Sequence, residues 1–340
     1  MKNKTAANSV ATNSTVNVVD ETPANPEMFN NYVDAGKLAD SAMKFAASQI
    51  KSEASVFQIC RAVDAEMLKL CEGFKGAAVS FPCAISPNDL ICHFSPTSTD
   101  PEIVLKSGDL VKIELGIHVE NCPAFICRSI VVDGKESETS SALLKAAWAA
   151  AQATARDLRP GQVLNELTDK FANIPAEFGV NYTQGLMTHV ISRNNLAGDK
   201  GLVYRPTAEQ RKSSADALVE DNEIYLVDVV VSSGQYAVAR PTTHRTSIYK
   251  KSGNVQALRF KSSRQFISEI SQKHGLMAFS LRYFATNESR ARVALKECLS
   301  AELVHSYDVI ADLDEKALTA RFAFTLIVGK DANTIITNPQ

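Results

Sequence analysis

Residues 108–119 read GDLVKIELGIHV, and their alternation points to a sheet. Val111, Ile113, Leu115, Ile117 and Val119 fall on one parity, with Lys112, Glu114, Gly116 and His118 on the other. Strand side chains point alternately to opposite faces, so this period of two predicts a strand. Glu120 and Asn121 then turn the chain, and Phe125 to Val132 return it as the second arm of a hairpin over 109–132. Glu114 and His118 share one face of that hairpin, and the turn brings Phe125 close to it. Taken alone, such a polar face reads as sheet surface open to water.

On the N-terminal side, Leu38, Ala42, Phe45, Ala46 and Ile50 recur at helical spacing. Val56, Ile59, Val63, Met67 and Leu70 do so again behind Ser55, a cap candidate. Two helices therefore precede the first clear sheet signal. Residues 1–25 carry too little apolar surface to offset their ordering entropy and read as a disordered tail. That stretch has no hydrophobic segment of the kind a secretory signal needs. Beyond the hairpin an Ala-rich helix is expected over Ser140 to Asp157, and a second over Val163 to Phe178. A short segment then ends at Thr188 and His189. The apolar run Ile224 to Val231 reads as a buried strand, Tyr236 to Tyr249 as further strand, and residues 252–316 as mainly helical. Arg321 to Val328 returns to strand.

The whole chain has 340 residues and a formal charge of -2, which gives no sign of a special partner until it is resolved along the sequence. Between residues 250 and 300 there are 10 basic and 3 acidic residues, a local charge of +7 that leaves -9 for the rest. A split this sharp points to an anionic partner for one face. Phe260, Tyr283 and Phe284 interleave with the arginines and offer rings for stacking, although core packing explains them equally well. The cysteines Cys60, Cys71, Cys83, Cys92, Cys122, Cys127 and Cys298 form no CxxC pair and read as reduced core thiols. No apolar run approaches the roughly 18–20 residues that span a bilayer. Nucleophile-elbow, HExxH, P-loop and dinucleotide-binding motifs are all absent from the sequence.

CHFSP (Cys92 to Pro96), GDLVKIELGIHV, YLVDVVVSSG (Tyr225 to Gly234) and RFAFTLIV (Arg321 to Val328) stand in the order and spacing of type II methionine aminopeptidases. KSSRQFISEI (Lys261 to Ile270) and FSLRYF (Phe279 to Phe284) draw the chain closer to that enzyme's non-catalytic relatives, the proliferation-associated (ErbB-binding) proteins. The resemblance covers about Phe29 to Val328. It implies an α/β pita-bread fold of two similar halves, about 26–157 and 158–340, around a central cleft. It also implies the helical insertion of the second type, about 254–316.

The same resemblance locates a metal site. Where the active relatives carry Asp, Asp, His, Glu and Glu, this sequence has Glu114, Phe125, His189, Asp228 and Ala323. A two-metal hydrolase holds its ions about 3.5–4 Å apart with bridging carboxylates. Phe125 and Ala323 replace those bridges and have no donor atom. At most two carboxylates and one imidazole then face four positive charges, so binuclear binding should fail. The expectation is no metal, no cofactor and no peptidase activity. His93 matches the histidine that contacts substrate in the active relatives, and here reads as a hydrogen-bonded pocket or loop histidine. His118 is assigned no role.

What the resemblance offers in place of catalysis is binding to the large ribosomal subunit through ribosomal RNA, near the nascent-chain exit. Ribosome assembly, translation and growth control are the processes implied. Arg259, Lys261, Arg264, Lys273, Arg282, Arg290, Arg292 and Lys296 are the candidate RNA contacts. A monomer in the cytoplasm is expected, with the nucleus or nucleolus as a second compartment. The lysine-rich tail of the better-known relatives does not appear before Gln340, so tail-dependent nucleolar targeting is not expected. Two rival readings are a residual metal-dependent aminopeptidase and an adaptor that holds peptides or other proteins in its cleft.

Overall fold

The computed structural model describes residues 21–213 and 217–338. Helices α1 (Pro26–Ser48) and α2 (Val56–Glu72) lead into β1 (Ala77–Pro87), β2 (Leu90–Cys92), β3 (Leu110–Val119) and β4 (Cys122–Val131). Then come α3 (Glu138–Asp157), α4 (Leu164–Phe171), β5 (Asn181–Tyr182), β6 (Met187–Ile191), β7 (Gly201–Val203), α5 (Ala208–Ser213) and β8 (Ile224–Ser232). The chain continues through β9 (Ala239–Pro241), β10 (Ile248–Lys251), α6 (Lys261–Lys273), β11 (Ala278–Ser280) and α7 (Glu288–Ser300). It closes with β12 (Val304–Tyr307), β13 (Ile310–Asp312), β14 (Thr319–Ile327) and β15 (Thr334–Ile335).

The expected hairpin is β3 and β4, paired from Leu110 with Val131 to Val119 with Cys122. Glu120 and Asn121 both adopt positive φ, 48° and 65°, as a two-residue type I′ connection requires. Its polar face is not solvated, contrary to the simplest reading. Lys112 and Glu114 are fully buried because the second half of the chain packs over them. The Lys112 Nζ ends on the Asn88 carbonyl at 2.6 Å, and burial pushes its ammonium down to about 7.

The large sheet runs β1-β3-β4-β14-β8-β6-β7, with β15 added to β14 and β5 to β8. β1-β3-β4 and β14-β8-β6-β7 meet at a short seam, where Ala323 pairs with Cys127 and Phe324 with Ile126. Side chains reinforce the seam: Thr325 Oγ1 accepts from the Phe125 N–H at 2.9 Å, and Ser129 Oγ donates to the Arg321 carbonyl at 2.8 Å. Helices α1 and α2 cover β1 and β3 with a core of Met43, Ile59, Val63, Met67, Ile113 and Leu115. Helix α3 covers β8 and β14 over Leu143, Val227, Val229 and Phe324, and α4 packs beside it against β7, adding Leu167 to the same core. This mixed α/β arrangement is the pita-bread fold. All seven cysteines are buried and unpaired. Among the described residues no helix is long and apolar enough to cross a membrane.

Four expectations need correction. The helix read over Val163 to Phe178 ends at Phe171, because Pro175 cannot continue it, and a 3₁₀ turn Pro175–Phe178 follows. The strand read over Tyr236 to Tyr249 is two short strands in different sheets, β9 beside β13 and β10 between β11 and β12. Pro241 and the polar run Thr242 to Thr246 interrupt it. The insertion is not purely helical: α6 and α7 pack on a small sheet, β11-β10-β12, around Phe266, Ile270, Phe279 and Leu295. Of the stretch read as a tail, residues 1–20 lie outside the described residues. Its last five are placed against the fold: Asn25 caps α1 by accepting the Glu27 N–H at 3.0 Å, and Glu21 pairs with Arg193 at 2.8 Å.

Candidate functional site: an arginine among the metal-site residues

The seam sets the geometry of the cleft. Glu114 sits mid-way along β3, and Phe125 stands opposite Gly116 on β4. Ala323 on β14 pairs with Cys127 on one side and Asp228 of β8 on the other. His189 on β6 lies beside Leu226. The structure therefore brings together the five positions that the resemblance assigns to a metal site. It also places there a residue the sequence reading passed over. Arg321 precedes Ala323 by two along β14, so strand alternation turns its side chain to the same face.

Arg321 fills the centre of the cluster. Its Nε donates to Asp228 Oδ1 and its Nη2 to Asp228 Oδ2, both at 2.7 Å, a two-pronged fork. Its Nη1 donates to Glu114 Oε1. The guanidinium lies over the Phe125 ring, 5.8 Å from the ring centre. The second Glu114 oxygen accepts the His93 backbone N–H at 2.6 Å. Arg321, Glu114 and Asp228 are all buried. Burial alone would push the guanidinium down; Asp228 and then Glu114 outweigh it and hold the group well above its ordinary value.

The two histidines are turned to backbone oxygen. Nδ1 of His93 lies 2.9 Å from the Asp308 carbonyl, which can only accept, so that nitrogen carries the proton. Burial holds His93 below the usual imidazole range, although Glu114 opposes this. In His189, Nδ1 lies 3.1 Å from the Met187 carbonyl and Nε2 2.9 Å from that of Leu196. His118, given no role, is buried and its Nδ1 accepts the Asn121 N–H at 3.2 Å in the hairpin turn.

These residues do not fit a pair of divalent ions. Phe125 and Ala323 bring no donor, and a fixed cation lies between the two remaining carboxylates. Among the described residues, no three His, Cys, Asp or Glu side chains come together as a metal site. Above the ion cluster lies a cleft of about 250 Å³ lined by Phe81, Phe125, Met187, Leu226 and Tyr307.

The insertion sorts the basic candidates by environment. Arg282 is buried and bound to Asp64 through Nη2 at 2.6 Å, locking α2 to the insertion, so it is withdrawn as an RNA contact. Arg292 pairs with Glu288 at 2.7 Å and Lys273 with Glu269 at 2.7 Å. Arg264 is exposed, but its Nη1 donates to the carbonyls of Leu258 and Arg259 and fixes the loop before α6. Arg259, Lys261, Arg290 and Lys296 are exposed and make no ion pair within 4 Å among the described residues, although Arg259 is near enough to Glu297 to help lower its carboxyl. Of the three interleaved aromatics, Tyr283 and Phe284 pack on the insertion core while Phe260 is 63% exposed.

The Metallopeptidase family M24 pattern matches residues 30–196. A curved DNA-binding protein of Schizosaccharomyces pombe is 31% identical over 333 residues, covering 95% of this chain and 86% of its own. The ErbB-3 binding protein 1 of Solanum tuberosum is 29% identical over 324 residues, covering 92% and 82%. The chain belongs to the proliferation-associated (ErbB-binding) family. A solved thermophilic Arx1 shares the fold with a TM-score of 0.84 at 19% identity, over 92% of this chain and 91% of its own.

In this member of the proliferation-associated family, Arg321 was legible in principle. Once Ala323 is placed in the cleft, the period of two puts Arg321 beside it. The signal missed was a basic residue on a strand otherwise wholly buried.

Proposed function

We propose that this protein is a catalytically inactive aminopeptidase-fold protein that binds the large ribosomal subunit through ribosomal RNA, acting in the cytoplasm in translation and growth control. The observation that carries the reading is the Arg321 ion cluster. A guanidinium neutralises the carboxylates that would otherwise recruit metal, and it blocks the point where a nucleophilic water would be generated. The surface left to act is then the insertion, where Arg259, Phe260 and Lys261 combine two exposed cations with an exposed ring at the start of α6. A relative named for binding curved DNA supports a polyanionic partner for the family.

Sedimentation of cell lysate through a sucrose gradient tests the proposal. The protein is expected with large subunits, and ribonuclease treatment should return it to the top of the gradient. In parallel, purified protein supplied with Mn²⁺ or Co²⁺ should release no N-terminal Met from peptides. Sedimentation that survives ribonuclease would replace RNA by protein contacts, and metal-dependent Met release would end the non-catalytic reading.

A further inference from the structure

On the opposite face of the seam from the cleft, Phe322 and Phe324 of β14 and Arg128 and Ile130 of β4 point away from the ion cluster. Helices α1 and α2 pack on β1, β3 and β4, and α3 on β8 and β14, so a groove is left between the two helical layers. It has two connected parts that share Trp148 of α3. One, of about 560 Å³, is lined by Arg128, Ile130, Leu144, Lys145 and Phe322. The other, of about 630 Å³, is lined by Arg156, Arg159, Phe324 and Ile335. Trp148 packs edge-on against Phe322, ring centres 5.6 Å apart, and Ile335 is 53% exposed at the far end.

The charge of the groove is one-sided. Arg128, Lys145, Arg156 and Arg159 line it against a single acid, Glu136. Arg156 is paired with Asp157 at 2.7 Å, and Arg159 bonds only to backbone and amide oxygens. Among the described residues, the side chains of Arg128 and Lys145 meet neither an ion-pair nor a hydrogen-bond partner, and both reach solvent. The occupant that matches has apolar side chains for the floor and carboxylates for the rim.

We propose that this groove is a docking site for an acidic, apolar peptide segment of a partner protein, distinct from the RNA-facing insertion. Of the three rings that line it, Phe322 and Phe324 are buried and Trp148 alone is partly exposed, so the groove offers no series of stacking platforms, which favours peptide over single-stranded nucleic acid.

The chain has one tryptophan, so its emission reports on the groove directly. Full-length protein is titrated with a peptide alternating Glu with Leu and Phe. A saturable shift in Trp148 emission is expected, weakened at least tenfold by Arg128→Glu with Lys145→Glu. Both side chains reach solvent, and circular dichroism confirms folding of the double variant. Equal binding of the same peptide with Lys in place of Glu overturns the proposal. So does tighter binding of single-stranded RNA, a concentration-dependent shift without peptide that reveals self-association, or no saturable shift at all.

Discussion

Arg321 brings one positive charge into a space where two carboxylates would otherwise repel each other. Removing one partner of a buried ion pair leaves the others uncompensated and costs about 3–5 kcal/mol. Arg321→Met should therefore lower the melting temperature markedly. Because Glu114 and Asp228 are then left unneutralised, Mn²⁺ should restore part of the loss in the variant, whereas the parent should ignore both Mn²⁺ and EDTA. A parent that melts lower in EDTA would show that a metal already stabilises it. Phe125→Asp with Ala323→Glu restores donors but leaves the guanidinium in place. That double variant should bind no stoichiometric metal by elemental analysis until Arg321→Met is added. Glu114, Phe125, His189, Asp228 and Ala323 were named together only through the family resemblance, and the structure places them near one another across β3, β4, β6, β8 and β14. Arg321 lies outside that set because it is a gained counter-charge and not a replaced ligand.

Elements were legible where their periodicity was clean. β3 and β4 alternate along one face, and α1, α2 and α3 carry plain helical stripes. β1 was missed, because AAVSFPCAISP shows no alternation: the strand is buried on both faces over nearly its whole length. Pro82 also argues against a strand, yet β1 is the outermost of its path, and its register shifts around Phe81. The join between α1 and the C-terminal segment was equally invisible. There Asp40 Oδ1 accepts the Asn338 N–H at 2.8 Å, and burial raises the Asp40 carboxyl to about 6. Between about pH 4 and 6 the folded state thus binds more protons than the unfolded chain, so this group's contribution to stability falls as pH rises through that window. Asp40→Asn keeps the acceptor and removes the titration. Its melting temperature should exceed the parent's by an amount that grows from pH 4 to pH 6, worth about 1 kcal/mol after allowing for partial solvent screening. A difference independent of pH would show that Asp40 titrates normally.

At the scale of the whole molecule, the +7 of residues 250–300 is reduced only where a cation pairs outside the segment, as Arg282 does with Asp64, because Glu288 and Glu269 are already counted in it. Arg282 is spent on Asp64, Arg292 on Glu288 and Lys273 on Glu269. What stays free is gathered at one corner: Glu297 of α7 accepts the N–H groups of Arg259 and Phe260, bringing the start of α6 beside Lys296. Lys261 opens α6, where a cation works against the helix dipole. If this corner grips RNA, each phosphate contact releases condensed counterions, and affinity should fall steeply with salt. Arg259→Glu, Lys261→Glu and Lys296→Glu together should weaken large-subunit binding at least tenfold and flatten its salt dependence. Tenfold needs only about 1.4 kcal/mol, modest for three contacts turned repulsive. Arg264 is left intact, since reversing it would unhook the loop its guanidinium holds. Lys37→Glu, Lys44→Glu and Lys51→Glu, on or just beyond α1, change the net charge equally and should do much less. If both triple variants sediment with large subunits as the parent does, the insertion does not face the ribosome, and the charge asymmetry needs another explanation.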